Sequence, residues 1–501
     1  MGPSLRRFAT AITLLLLGLP RTGLAQAFPV EEFDAYVRKA VSDWDVPGLA
    51  VAVVKDGQLM FARGYGVQQL GRAGAVDEHT RFAIGSTTKA MTAAALAMLV
   101  EEGKLDWNDP VIDHLPWFRL QDPWVTREIR VIDLLTHNAG LGNADFLWYE
   151  QDATTRDLLE RLRYLEPAYS MRSGFIYQNL MYATAGEVIA AASGVPWARF
   201  IQTRILEPLG MRDTRTTLAE TEGQPNVAGP HYRLDGTVER IENASVDPVA
   251  AAGSIWSSVH DMSVWLRFLL AGGVAADGRR LLEPSTVEWL FTPHSLVEPE
   301  DFYPTQELTH PHWTTYGLGW FQADYEGRKV DFHTGSIDGM VAIAGLLRDE
   351  GVGVYVLANR DHAEVRHALM YRVFDLYDPE APRDWSADLL ALYDRLDTEQ
   401  AEAQARRSAA RAADTAPSLP LDAYVGTFTH PLYGSVRIER DGARLLARYG
   451  RLQGTLEHWE RESFDARWST RWRGTTRLTF VLSGPEVTGV EVGGYTLPRS
   501  P

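Results

Sequence analysis

The sequence predicts an α/β (α+β) protein: an antiparallel sheet flanked by helices, a helical subdomain inserted into it, and a small all-β, barrel-like domain at the carboxyl end. Three observations predict it. The stretch "VPGLAVAVVKDGQLMFARGYGV" sets two apolar runs around Asp56-Gly57, a hairpin signal. From about Asp106 to Leu290 the chain reads as helix and loop, and near Asp331 it returns to strand character. Strands therefore bracket a helical middle, which fits one sheet built from both ends of the region. Past Pro417 the runs become short, strand-like and turn-rich.

The chain begins "MGPSLRRFATAITLLLLGLPRTGLAQAF". Arg6 and Arg7 precede an apolar run from Phe8 to Leu19, and small residues follow at Ala25 and Ala27. This is the pattern of a cleavable export signal, expected over residues 1–27 with cleavage near Ala25 or Ala27. An uncleaved anchor is the alternative, but the run is short of the ~20 residues that a spanning helix needs. No later segment is apolar enough to span, so no stable membrane span is expected after cleavage. The 501 residues contain no cysteine, so export brings no disulfides. A net charge of −17 argues against nucleic acid as a partner, because phosphate binding needs a basic surface.

The main region is expected over residues 28–377. After the first hairpin comes "RFAIGSTTKAMTAAALAMLVEEGKL", a helix apolar almost all round that stops at Gly103. "SSVHDMSVWLRFLLAGG" pairs Ser258 with Asp261 as a capping pattern and ends in Gly272-Gly273. In "VDFHTGSIDGMVAIAGLLRDEGVGVYVLANR" a turn at Asp349-Glu350-Gly351 separates two strands. Residues 378–416, rich in Ala, Arg and Glu, read as a helical linker that breaks at Pro417 and Pro420. Residues 417–501 form the small all-β domain, with a hairpin signal at Asp441-Gly442.

The buried helix poses a chemical question, because Lys89 sits in its first turn, three residues after Ser86. Residues three apart lie about 60° apart round a helix, so the hydroxyl and the amine can meet. Burial and the positive helix end both disfavour an ammonium, so Lys89 can be neutral near pH 7. A neutral amine can deprotonate serine for attack on an acyl carbonyl. The alternative is structural: Ser86 caps the helix and Lys89 reaches solvent.

Two further stretches bear on this choice. "SGFIYQNLMYATAGEVI" carries Tyr177-Gln178-Asn179 before an apolar helix, and "DFHTGSIDGM" carries His333-Thr334-Gly335-Ser336 on a strand. In this order the elements resemble the serine β-lactamase and penicillin-binding protein superfamily. The Tyr-x-Asn form is similar to class C β-lactamases and their relatives among D,D-carboxypeptidases, D-aminopeptidases and β-lactamase-like esterases. "LLTHNAGL", "LEPLGM" and "AAGSIWSSVHDM" support the resemblance, which covers about Phe28 to Tyr377. The tail resembles, more weakly, a lipocalin-like domain. The resemblance implies a β-lactamase/transpeptidase-like fold with Ser86 as acylated nucleophile and Lys89 as proton acceptor. It implies Tyr177 as a second base or shuttle and Asn179 as a partner of Lys89 and of the substrate amide. It implies an oxyanion hole from the Ser86 and Ser336 N–H groups, with His333, Thr334, Gly335 and Ser336 along the substrate.

His333 departs from the superfamily's Lys-Thr-Gly. An unperturbed histidine, pKa about 6.5, is mostly neutral at pH 7 and makes a poor carboxylate receptor. This favours esters, or amides without that group. "HAEVRH" is no zinc helix, since His362 and His367 are five apart and point about 140° apart. "HPH", His310 to His312, lacks a third ligand of suitable spacing, and neither metal nor cofactor is expected. The expectation is an exported serine hydrolase that cleaves an ester or amide of a small molecule or short peptide, D-amino-acid peptides included, with β-lactams as a side activity. Its rival is a penicillin-recognising binding protein or sensor that acylates without turnover.

Overall fold

The computed structural model describes residues 28–377, 383–412 and 415–501. The expected export signal, with Ala25 and Ala27, lies outside them. Among the described residues no helix is long and apolar enough to cross a membrane.

The main domain opens with α1 (Val30–Asp43), followed by β1 (Gly48–Lys55) and β2 (Gln58–Gly66). Asp56 and Gly57 join them with φ of 49° and 75°, the left-handed pair that a two-residue type I′ hairpin requires. Next come α2 (Thr88–Glu101), α3 (Asn179–Ser193) and α4 (Val259–Leu270). Ser258 caps α4 by accepting from the Asp261 N–H at 3.2 Å. Then β3 (Ser295–Leu296), β4 (Thr314–Tyr316), β5 (Phe321–Tyr325), β6 (Arg328–Ile337), β7 (Met340–Leu347) and β8 (Val352–Ala358) complete an eight-stranded antiparallel sheet. Its order is β2-β1-β8-β7-β6-β5-β4-β3, so the chain's two ends do meet, at β1 and β8. Helices α5 (Val365–Asp375) and α6 (Trp385–Ala409) follow.

Strand alternation divides the core. Leu49, Val51 and Val53 point to a cluster shared with α1, α5 and the start of α6. Ala50, Ala52 and Val54 point to the opposite cluster, shared with α2, α3 and α4. The expected linker helix is only partly a linker. Trp385 and Leu389 are buried, and the Trp385 ring stacks on Tyr371 at 4.7 Å, so the first turns of α6 complete the sheet's core. Composition pointed to solvent because the Ala/Arg/Glu-rich part is the exposed second half.

The carboxyl-terminal strands, β9 (Gly426–His430) through β16 (Tyr495–Pro498), form a nearly closed antiparallel barrel of eight strands. Its ends approach each other where the Ser500 N–H donates to the Thr427 carbonyl at 2.8 Å. The barrel is docked on the main domain. The Phe146 ring stacks on Tyr433 at 3.9 Å, and the Arg451 N–H donates to the Glu150 carbonyl at 2.8 Å. Trp472 Nε1 donates to Asp338 at 3.0 Å, and Arg473 pairs with the same carboxylate at 2.6 Å. Asp338 lies in the β6–β7 turn, two residues past Ser336. The barrel therefore rests against the strand that carries the His-Thr-Gly-Ser run.

Candidate active site

Ser86 sits in a 3-10 turn, Gly85–Thr87, that feeds α2. The turn is held by a two-residue ladder between Phe82–Ala83 and Trp256–Ser257, and by Ile84 N–H donating to the Ile255 carbonyl at 2.9 Å. Gly85 has φ of +53°, and an added Cβ there would lie 2.6 Å from the Ser336 nitrogen. Across the gap, a Cβ on Gly335 would lie 1.9 Å from the Ile84 carbonyl oxygen. Two glycines thus let β6 press against the serine turn, and the backbone amides of Ser86 and Ser336 come together. β6 pairs with β5 only as far as Phe332. From His333 onward its edge is left open beside Ser86.

The cap reading of Ser86 fails. The residue in the cap position before α2 is Thr87, without a side-chain cap bond, and the Ser86 hydroxyl instead accepts from Lys89 Nζ at 3.0 Å. Lys89 does not reach solvent: it is 0% exposed. Its ammonium positions are used on Ser86, on Asn179 Oδ1 at 2.7 Å and on the Ala252 carbonyl at 3.0 Å. Desolvation pushes its pKa down to about 7, opposed by the charge of Asp145. A substantial neutral fraction at pH 7 follows.

Asn179 opens α3, and Gln178 rather than Asn179 caps it by accepting from the Leu180 N–H. Gln178 N–H donates to His137 Nδ1 at 3.0 Å, and the His137 ring packs on Tyr177 at 4.2 Å. The Tyr177 hydroxyl is buried beside Ser86 but closes no hydrogen bond of normal geometry. Burial raises its pKa well above the usual value near 10. Tyr177 therefore rests as a neutral phenol, a proton donor; the second-base role that the resemblance implies would need a proton removed first.

His333 is enclosed by the fold rather than presented along the open edge. The ring is 1% exposed, with Nε2 at 3.0 Å from the Tyr316 hydroxyl and Nδ1 at 2.6 Å from the Thr334 carbonyl. Both nitrogens are engaged inside an aromatic cluster, so neither is free for a substrate carboxylate. Desolvation, helped by Lys89, pushes its pKa down to about 3. Thr334 is also tied, to the Tyr303 hydroxyl at 2.6 Å. Ser336 is exposed, and its hydroxyl accepts from Arg366 Nη1 at 2.9 Å.

The sequence reading missed four contributors, His137 among them. Asp145 receives the Asn179 amide on both oxygens, at 3.0 and 2.9 Å. Arg366 donates to the Gly335 carbonyl at 2.7 Å and is itself neutralised by Glu364 at 2.8 Å. Ala252 offers only a backbone carbonyl. His137 and Ala252 lie in "LLTHNAGL" and "AAGSIWSSVHDM", which marked the segments without marking their roles; Asp145 had no motif signal. Among the described residues, His79, Asp213 and His260 can bring ligand atoms within 4.8 Å of one another, and none of them belongs to the Ser86 cluster.

This geometry agrees with what the comparisons find. The Beta-lactamase family model matches residues 33–377, and the chain belongs to that family. A second model, a domain of unknown function (DUF3471), matches residues 410–495. The chain is 29% identical over 435 residues to an unguisins hydrolase of Aspergillus campestris, covering 83% of this chain and 79% of that one. It is 24% identical over 336 residues to protein flp of Staphylococcus aureus, covering 66% and 63%. In fold it is similar to the octameric penicillin-binding protein homologue from Pyrococcus abyssi, with a TM-score of 0.61, 21% identity and 94% and 100% of the two chains covered. SurE is similar at a TM-score of 0.56 and 21% identity.

Proposed function

We propose that this protein is a serine hydrolase that cleaves an ester or amide through an acyl-enzyme on Ser86. The observation that carries the reading is the 3.0 Å contact between Ser86 Oγ and a Lys89 amine that burial holds near pKa 7. The neutral amine takes the serine proton as Oγ attacks the carbonyl. The Ser86 and Ser336 amides receive the oxyanion. The leaving group takes a proton from the Tyr177 hydroxyl, which recovers one from the Lys89 ammonium. Water then hydrolyses the acyl-enzyme by the same path in reverse.

The likeness to an unguisins hydrolase supports a hydrolytic rather than a sensing role. The substrate class proposed is an ester or amide of a small molecule or short peptide, D-amino-acid peptides included, with β-lactams as a side activity. Export is part of the proposal and rests on residues 1–27 alone. A screen of p-nitrophenyl esters, D-amino-acid amides and a chromogenic cephalosporin tests it. Multiple turnovers on any of them, lost in Ser86→Ala, support the hydrolase. Stoichiometric labelling without turnover would replace it with the acylating sensor.

A further inference from the structure

The space directly at Ser86 is small. A pocket of 40 Å³ is bordered by Ser86, Asn179, Ser336 and Tyr149. On the same scale one water needs about 10–15 Å³, so this pocket takes a reacting carbonyl and a few atoms beside it. A larger substrate extends beyond it.

Tyr149, which carries Trp148 stacked at 3.9 Å and the Arg473 guanidinium at 4.4 Å, also borders a cavity of 620 Å³ at the seam between barrel and main domain. That volume is within the ~300–1,000 Å³ range of small-molecule sites. Phe146 and Tyr149 wall it on one side, and Tyr449, Leu452, Trp468 and Val492 on the other. Its charged member, Arg473, is already committed to Glu150 at 3.2 Å and Asp338 at 2.6 Å. The cavity also touches the catalytic scaffold: Asn143, on its margin, donates to the Tyr177 carbonyl at 3.2 Å. The other depression near Trp148 is bordered by Asp152, Asp157 and Asp247 and offers little to an apolar group.

We propose that the barrel-mouth cavity is a substrate subsite for an uncharged aromatic or branched aliphatic group whose reacting carbonyl sits at Ser86. The inference rests on the hydrolase reading and adds the class of substrate to it. An eight-stranded barrel has an interior just wide enough for its own side chains or one small ligand. Here the 143–150 loop of the main domain supplies the remaining wall, so the subsite exists only while the two domains are docked.

The test compares kcat/KM for p-nitrophenyl acetate, 4-methylpentanoate and 3-phenylpropionate in the wild type and in Leu452→Trp and Val492→Trp. Both positions are half-buried on the cavity wall, where an indole takes up its space. Thermal unfolding checks that each variant folds. The wild type should favour the larger esters over acetate by at least tenfold, and each variant should reduce that ratio at least tenfold. An unchanged ratio in a folded variant overturns the proposal. A second arm needs no hydrolysis: binding of 3-phenylpropanamide to Ser86→Ala, followed by tryptophan fluorescence. Binding that is lost with either indole supports the subsite; absent binding, or binding indifferent to both substitutions, overturns it. If no ester is turned over while this binding persists, the hydrolase reading fails and the subsite stands.

Discussion

Asp145 fixes which way round Asn179 sits: both carboxylate oxygens accept from the Asn179 amide nitrogen, so the amide oxygen is left facing Lys89 Nζ at 2.7 Å. An amide can present either end to a neighbour, and a carboxylate accepts but does not donate. In the relay Asp145–Asn179–Lys89–Ser86, Lys89 therefore donates both ways, to Asn179 Oδ1 on one side and to the serine hydroxyl on the other, while Asn179 donates on to Asp145.

Asp145→Asn removes both the orientation and the negative charge. Because that charge raises the Lys89 pKa, its loss lowers the pKa further. The limb of the pH–rate profile on which acylation rises should move to lower pH than in the wild type, whose limb is centred near 7. Profiles of kcat/KM from pH 5 to 9 check the shift. A limb that does not move, or moves upward, contradicts the relay.

Lys89→Met keeps the bulk and removes the base. General base catalysis contributes ~10²–10⁴-fold, and a loss of acylation rate in that range is expected. The change also leaves the Ala252 carbonyl and Asn179 Oδ1 without their donor, at about 1–3 kcal/mol for a buried group, offset by relief of the buried amine. Stopped-flow acylation and thermal unfolding of the same sample separate the two effects.

Tyr177→Phe deletes a buried hydroxyl that lies beside Ser86 without closing a hydrogen bond of normal geometry, so stability should stay within ~0.5 kcal/mol of the wild type. Its effect on rate should be smaller than that of Lys89→Met and greatest for leaving groups that need a proton. Comparing a p-nitrophenyl ester with an alkyl amide of the same acyl group checks this. Equal losses on both would remove the donor role.

His333 gives a negative prediction with a definite sign. Its folded pKa is depressed to about 3, so the ring is neutral throughout pH 5 to 8. Discrimination between substrates that differ only in a terminal carboxylate should show no histidine-like step near pH 6.5. The same depression costs stability as pH falls: below about 6.5 the unfolded chain binds a proton that the folded one refuses. The melting temperature should drop between pH 6.5 and 4, and less steeply in His333→Gln.

Much of this was legible in the sequence because it is local. Asp56-Gly57 specifies a hairpin whatever surrounds it, and Ser86 to Lys89 is one helical turn. The motif order placed Tyr177, Asn179 and the His333–Ser336 strand in one site. What was not legible depends on contacts between distant segments. The direction of the His333 ring is set by Tyr316 and the Thr334 carbonyl, and a strand motif carries no information about which neighbours take up a ring. Asp145 has no signature because the amide it orients, that of Asn179, lies 34 residues on. The docking of α6 was hidden by averaging composition over a helix whose two halves have different environments.

The most direct test of the central claim is peptide mass spectrometry after treatment with a fluorophosphonate probe, run on the wild type, Lys89→Met and Ser86→Ala. The account predicts one adduct in the wild type, on Ser86, formed much more slowly in Lys89→Met and absent in a folded Ser86→Ala. An adduct on any other residue, or one that persists in Ser86→Ala, would contradict it.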